Sequence, residues 1–329
     1  MFFHNLQHVV MKAEATPGTI ETIASADFDI RIFNGSFKPD VGQDQDNYAR
    51  GDFGRNVSIP GARSGMISGM CHMPYPGAVG TVPKWSKILK LMGGVQTTHG
   101  VTGISWADKA SGAIQPYTCF FEDREAGVAS PIGKRHTLIG AMANGKLKAD
   151  GVNQKLYFEF EAKGKYKIDV DVANGSLLTL TSPDTSLAER LKTTNVSIFG
   201  IDCRISKFEM DFGVEIALLE NQEDVYSTGW DYSYKIGHDP KFSCDIEMGS
   251  VAAKDWFAIQ NQATTGAIII NTGNYKIKFP KAQLMDRQLG NRNNGARTYE
   301  MNFSAIANDG ADATMADESH WEILQGSKT

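Results

Sequence analysis

The stretch GKRHTLIGAMANGKLKADGVNQKLYFEFEAKG, from Gly133 to Gly164, constrains the fold more than any other part of the chain. Within it Leu156, Phe158, Phe160 and Ala162 alternate with Tyr157, Glu159, Glu161 and Lys163, the two-residue period of a strand with one face buried. The period recurs at Phe242, Cys244, Ile246 and Met248, at Tyr275, Ile277 and Phe279, and at Tyr299, Met301, Phe303 and Ala305. A chain that repeats this pattern builds sheets, and its apolar faces need a second layer to cover them.

With 329 residues the chain exceeds what one core usually carries, so the expected organisation is two β domains, 1–175 and 176–329. The net charge of −5 is uneven: residues 1–175 carry +2 and residues 176–329 carry −7. Such a balance disfavours tight binding of nucleic acid through a basic face. Cys71, Cys119, Cys203 and Cys244 are scattered without a CxxC pair and read as reduced core thiols. The opening MFFHNLQHVVMKAE is too polar for a signal-peptide core, and no apolar run reaches membrane-helix length. The expectation is a soluble protein made in the cytoplasm.

Asn34–Asn56 is rich in Gly, Asp, Asn and Gln, with Phe37, Val41, Tyr48 and Phe53 as its apolar anchors, and reads as a long loop. It could order against a neighbouring subunit, with Arg50 and Arg55 among its contacts. Strand-like pieces follow on either side of Pro60-Gly61. Pro83 then opens a helix whose Trp85, Ile88, Leu89 and Met92 form one stripe, stopped by Gly93-Gly94. Ser182-Pro183 suggests a short helix carrying Leu187 and Leu191. A further helix is expected over Val251–Gln260, with Ser250 as its N-cap and Trp256 and Ile259 on its buried stripe. Thr272-Gly273 joins two strands as a hairpin. GAMANGKLKADGV and GIDCRISKFEMDFGV echo each other, which suggests a duplicated fold.

No motif carries chemistry. Gly140, Gly145 and Lys146 match GxxxxGK, but Leu147 stands where a metal-holding hydroxyl belongs, and a strand follows instead of a helix. Ser64 in GARSG lacks the first glycine of a nucleophile elbow. His4 with His8, and Cys71 with His72, lack the partners of a metal site, so neither catalytic, cofactor nor metal residues are assigned. Arg287, Arg292 and Arg297 fall in a Gly- and Asn-rich run that reads either as a solvated turn or as an arginine loop meeting an acidic neighbour.

Four blocks, in order, carry a family resemblance: KAEATPGTIETIASADFDI at 12–30, VPKWSKILKLMGG at 82–94, the run at 133–164, and FPKAQLMDRQLGNRNNGARTYEMNFSAIANDGADATMADESHWEIL at the end. In these the chain resembles bacteriophage tail tube proteins, the major tail proteins of long-tailed phages. The resemblance implies a mainly β, tail-tube-like sandwich or barrel, duplicated, with one short helix packed on each half. It implies no enzyme and no cofactor, and a place in the virion tail. Its partners would be further copies of itself, in a three-chain ring with pseudo-sixfold symmetry or a six-chain ring without duplication. Other tail proteins (tape measure, tail tip, terminator) and DNA in transit would complete the set. The alternatives are a capsid-decorating or neck-ring protein, and a β-rich hydrolytic or carbohydrate-binding module using Trp106, Trp230 and Trp321.

Overall fold

The computed structural model describes residues 7–45, 58–108, 115–125, 132–151, 153–173, 176–184, 186–191, 196–226, 228–248, 254–291, 295 and 297–327. In the first half run β1 (His8–Ala13), a single 3-10 turn (Ser25–Asp27), β2 (Ile32–Gln45), β3 (Ser58–His72) and α1 (Ser86–Leu91). They are followed by β4 (Val95–His99), β5 (Gly103–Ala107), β6 (Tyr117–Arg124), β7 (Gly133–Ala149) and β8 (Tyr157–Val172). The second half holds β9 (Val196–Ile198), β10 (Ile201–Asp202), β11 (Ile205–Asp211), β12 (Val214–Glu220) and β13 (Trp230–His238). After these come β14 (Lys241–Glu247), α2 (Trp256–Asn261), β15 (Thr265–Asn271), β16 (Tyr275–Asn291), β17 (Arg297–Ile306) and β18 (Glu322–Gly326). The chain is mainly β, as the alternation requires.

Sixteen strands join one antiparallel sheet, while β12 and β13 form a separate hairpin. The middle of the sheet runs β2-β3-β8-β7-β11-β14-β17-β16. Leu156, Phe158, Phe160 and Ala162 turn one face of it inward, joined by Phe208, Met210, Phe242, Cys244, Met301 and Phe303. A cover layer closes over that face. It is built from the first part of β16 with β15 and β9 on one side and β18, β5 and β4 on the other. Rings from the two layers meet: Phe242 lies 5.4 Å from Phe279, Phe212 4.9 Å from Trp321, and Trp85 on the approach to α1 touches both Phe158 and Trp106. This is a sandwich whose layers share a single buried cluster drawn from both halves.

The halves repeat one strand order. Reading outward in the sheet, the first half gives β1-β6-β7-β8-β3-β2 and the second β9-β15-β16-β17-β14-β11. Numbered along the chain within each half, with β4, β5, β10, β12, β13 and β18 left out, both read 1-4-5-6-3-2. In each, a helix follows the third strand. The two echoing segments are not the equivalent ones. They are β7 and β11, which pair with each other.

Several expectations change. Asn34 to Gln45 is no loop but most of β2, paired with β3 through Phe37 opposite Ile67 and Gln45 opposite Ser58. Its polar composition and Pro39 suit an edge strand, where one side makes no ladder bonds. Pro60 likewise fails to break β3. Among the described residues no helix forms at Ser182-Pro183: Ser182 takes a φ of +45°, and the chain beyond it bridges Pro74 through Ala188 and Lys155 through Arg190, with Leu187 exposed and Leu191 buried. The second helix spans only Trp256–Asn261 and is capped by Asp255, whose carboxylate accepts from Ala258 N at 3.0 Å; Ser250 lies outside the described residues. The four cysteines are buried and free. Among the described residues no helix is long and apolar enough to cross a membrane.

Candidate assembly edges

Where the two halves join inside the chain, β11 adds to β7 beyond the point where β6 stops. The β6 register ends with Tyr117 opposite Ala141, and β11 takes over with Asp211, Met210, Glu209 and Phe208 opposite Lys146, Leu147, Lys148 and Ala149. Phe208, Met210, Leu147 and Ala149 are buried on the core face. On the other face the same residues' neighbours alternate in charge. Lys146 reaches Glu209 at 2.6 Å and Asp211 at 3.3 Å, and Lys148 reaches Glu159 at 2.6 Å and Glu209 at 3.4 Å. Partial burial pushes the Glu209 carboxyl up, but the two ammonium groups outweigh it and hold it below the usual glutamate range.

The strand equivalent to β7 is β16, and it is built the same way up to this point. Its pairing with β15 ends at Gln283, after which Leu284 to Asn291 pairs only with β17 among the described strands. The strand equivalent to β11 is β2, the last in the sheet order, which among the described strands pairs only with β3. Among the described strands of this sheet β1, β4 and β10 are also paired on one side only, but the edges at β2 and at the outer part of β16 are the two that correspond to the two sides of the chain's own internal junction.

Residue correspondence follows from the registers. Matching Phe160 and Ala162 of β8 with Phe303 and Ala305 of β17 puts Phe158 at Met301 and Leu156 at Tyr299. Leu147, opposite Phe158, then corresponds to Arg287, opposite Met301, and Ala149 to Leu289. Cys71 corresponds to Cys244 and Ile32 to Phe208. The contrast in exposure is sharp: Ala149 is fully buried under β11, whereas Leu289 is 72% exposed. Met285 and Phe257 are also exposed here, on β16 and α2, which Gln260 ties together by donating to the Met285 carbonyl at 3.0 Å. Edge strands that carry an apolar patch invite another strand.

Of the arginines expected in a loop, Arg287 instead sits in β16, its guanidinium 5.1 Å from the Tyr299 ring and 5.6 Å from Phe257. Arg297 begins β17 opposite Asn291. The turn is thus much shorter than expected, because β17 offers β16 a partner from Lys281 to Asn291. Phe37 is an internal anchor, stacked 4.4 Å from His136 and tilted against Tyr166. Tyr48, Arg50, Phe53, Arg55 and Arg292 lie outside the described residues. Leu289, Met285, Phe257 and Ile32 were not singled out from sequence. Arg287 and Leu289 are out of phase with Leu284 because the strand bulges at Met285, so no period of two runs through the segment, and Gly290 and the asparagines read as a turn.

The glycines of the GxxxxGK match have packing roles. Gly140 sits at a β7 bulge with φ +62° and gives its N–H to the buried Glu14, and a Cβ on Gly145 would fall 2.5 Å from the Glu159 carbonyl. Trp106 and Trp321 are buried in the core, which removes two of the three rings a sugar platform would need. Neither protein-family comparison nor comparison with curated proteins finds a match to this chain.

Proposed function

We propose that the chain is a structural virion protein, the repeating unit of a phage tail tube, and not an enzyme. Copies join by strand addition, the Leu284–Asn291 edge of β16 receiving β2 of the next copy as β7 receives β11 within the chain. The observation that carries this reading is the match between the internal junction and the two open edges. Each half is then one of a series of equivalent units, half of the junctions covalently linked within a chain and half made between chains. A three-chain ring has six such units, and rings stack into a tube in the virion tail.

On this reading the polar face of the central sheet lines the channel. Its lysines at the internal junction are matched by Glu159, Glu209 and Asp211, so DNA phosphates moving past would find those cations already paired. Other tail proteins would meet the end rings. A head-decorating or neck-ring protein would share the fold class but need not polymerise. Negative-stain electron microscopy of the purified protein decides between them: stacked hollow rings support the tube, and a monomer at every concentration, or binding to empty heads, overturns it.

A further inference from the structure

We propose that Asp108, His238 and His320 form a binding site for one divalent transition-metal ion, best suited to zinc, that clamps three remote segments of the chain together. Asp108 follows the end of β5, His238 ends β13, and His320 leads into β18. The pairs are 212 and 82 residues apart in sequence, so no spacing motif announces them.

The ligand atoms are already gathered. Asp108 Oδ2 lies 2.9 Å from His238 Nε2 and 2.9 Å from His320 Nδ1, and the two nitrogens are 2.9 Å apart. The centre of such a triangle is about 1.7 Å from each corner, so an ion at zinc's usual ~2.0–2.1 Å from each would sit about 1.2 Å above its plane. A tetrahedral set asks for ligand separations of about 3.3 Å, an opening of a few tenths of an ångström that side-chain rotation supplies. Three atoms meeting at one point are hard to satisfy with protons alone: if both ring nitrogens carry a proton toward Asp108 they face each other 2.9 Å apart as two donors, and any nitrogen without a proton sets its lone pair against the carboxylate oxygen. A cation uses all three.

The surroundings support the carboxylate. Asp108 is 3% exposed, and its other oxygen accepts the backbone N–H groups of His320 at 2.9 Å and Trp321 at 3.1 Å, which fixes its orientation. The two imidazoles keep about a fifth to a quarter of their side-chain surface exposed, which leaves an entry path and a fourth position for water. Two nitrogens and one oxygen make a borderline donor set that suits zinc, cobalt or nickel and not calcium or magnesium, which prefer oxygen alone.

The consequence is mechanical. Residue 320 precedes the strand that threads between β5 and β16, so an ion held here pins the C-terminal strand and the β12–β13 hairpin to β5.

The test uses the full chain without a histidine tag, stripped with chelator and titrated with cobalt, whose bound tetrahedral form absorbs in the visible. Expected are one cobalt per chain, displacement by zinc, and a Tm raised by about 4 °C with zinc at about a hundredfold its dissociation constant. His320→Ala and His238→Ala should lose the cobalt bands and the zinc-dependent shift while keeping a cooperative melt without metal. Zinc content of the dialysed wild-type protein, by mass spectrometry, decides the matter without any variant. No cobalt bands and no bound zinc at millimolar metal would reduce the trio to a hydrogen-bonded cluster and overturn the proposal. Full binding by His320→Ala would do the same. Tube formation is a separate readout, and its failure leaves this result standing.

Discussion

Replacing Leu289 with lysine isolates the inter-chain junction from the fold. In the free chain Leu289 is 72% exposed, so the substitution should change the stability of the monomer by no more than about 0.5 kcal/mol. At the proposed junction it would stand opposite Ile32 of the next copy and be buried as Ala149 is. Full burial of a leucine is worth about 1.5–3 kcal/mol, and the exposed share of that is about 1–2 kcal/mol per junction. Each junction then weakens by about 5–30-fold, and a closed three-chain ring by about 10²–10⁴. An ammonium at a strand edge adds its own desolvation cost. The measurement is sedimentation velocity over a concentration series, backed by negative-stain images, with circular dichroism to show an unchanged melt. Ala149→Lys, at the buried internal equivalent, should instead fail to fold. If Leu289→Lys assembles at the wild-type concentration, β16 is not the joining edge and the correspondence between junctions is wrong.

The register also predicts that assembly is nearly insensitive to salt between about 50 and 500 mM, because Gln288 and Asp286 would meet Phe33 and Ser36 instead of opposite charges; a steep loss in salt, followed by light scattering, would refute that register. Asp224→Ala strands the ammonium of Lys165, which is 2% exposed and 3.1 Å from that carboxylate, and should cost about 3–5 kcal/mol, or about 4–7 °C in Tm by calorimetry. An unchanged Tm would mean the pair is solvated. Gly140→Ala forces a side chain into a φ of +62° and against Tyr232, and should lower Tm by about 2–4 °C. Burial pushes the carboxyls of Asp224, Asp169 and Glu209 up, yet their hydrogen bonds and cations leave all three below the ordinary range. Their contribution is therefore whole above about pH 5 and is lost as pH falls past the ordinary carboxyl values and through the lowered native ones, so Tm should drop most steeply below about pH 4, and a profile flat to pH 2 would contradict the pairings. Glu14, raised mainly by burial, works in the opposite sense and at higher pH, its contribution being lost as pH rises from the ordinary glutamate range through the raised native value.

The strands that face one layer on each side were legible because their period is two and their inward residues are large: Phe158, Phe160, Phe242 and Phe303 are all nearly inaccessible. α1 was legible from Trp85, Ile88, Leu89 and Met92 for the same reason, and all four are buried. What failed was edge structure. β2 and the outer part of β16 are half covered, so their composition is set by solvent, and Gly35, Pro39, Gly42 and Gly290 look like loop residues while the ladder with β3 or β17 holds them extended. Edges are also where a self-assembling chain keeps its joining surface, so the least readable strands are the ones the proposed function needs. The Asp108, His238 and His320 group was invisible for a different reason, since only the return of β18 to β5 brings its members together.

In the proposed assembly, a chain with two similar halves must keep its own junction from competing with the one between copies. If β11 paired with the open edge of β16 instead of with β7, Asp211 would face Asp286 where it now faces Lys146, and Glu209 would face Gln288 where it now faces Lys148. Like charges directly opposite on adjacent strands destabilise the pair, and the two ammonium partners would be lost at the same time. The reverse exchange sets Phe33 against Lys148 and Ser36 against Lys146, leaving those ammonium groups without the carboxylates of β11. The charge lattice at β7 and β11 thus contributes partner choice more than stability, since partly exposed ion pairs add about 0–1 kcal/mol each. In the proposed assembly it would reserve β11 for β7 and leave the Ile32–Ser36 end of β2, which carries no charge, for the edge at Leu289.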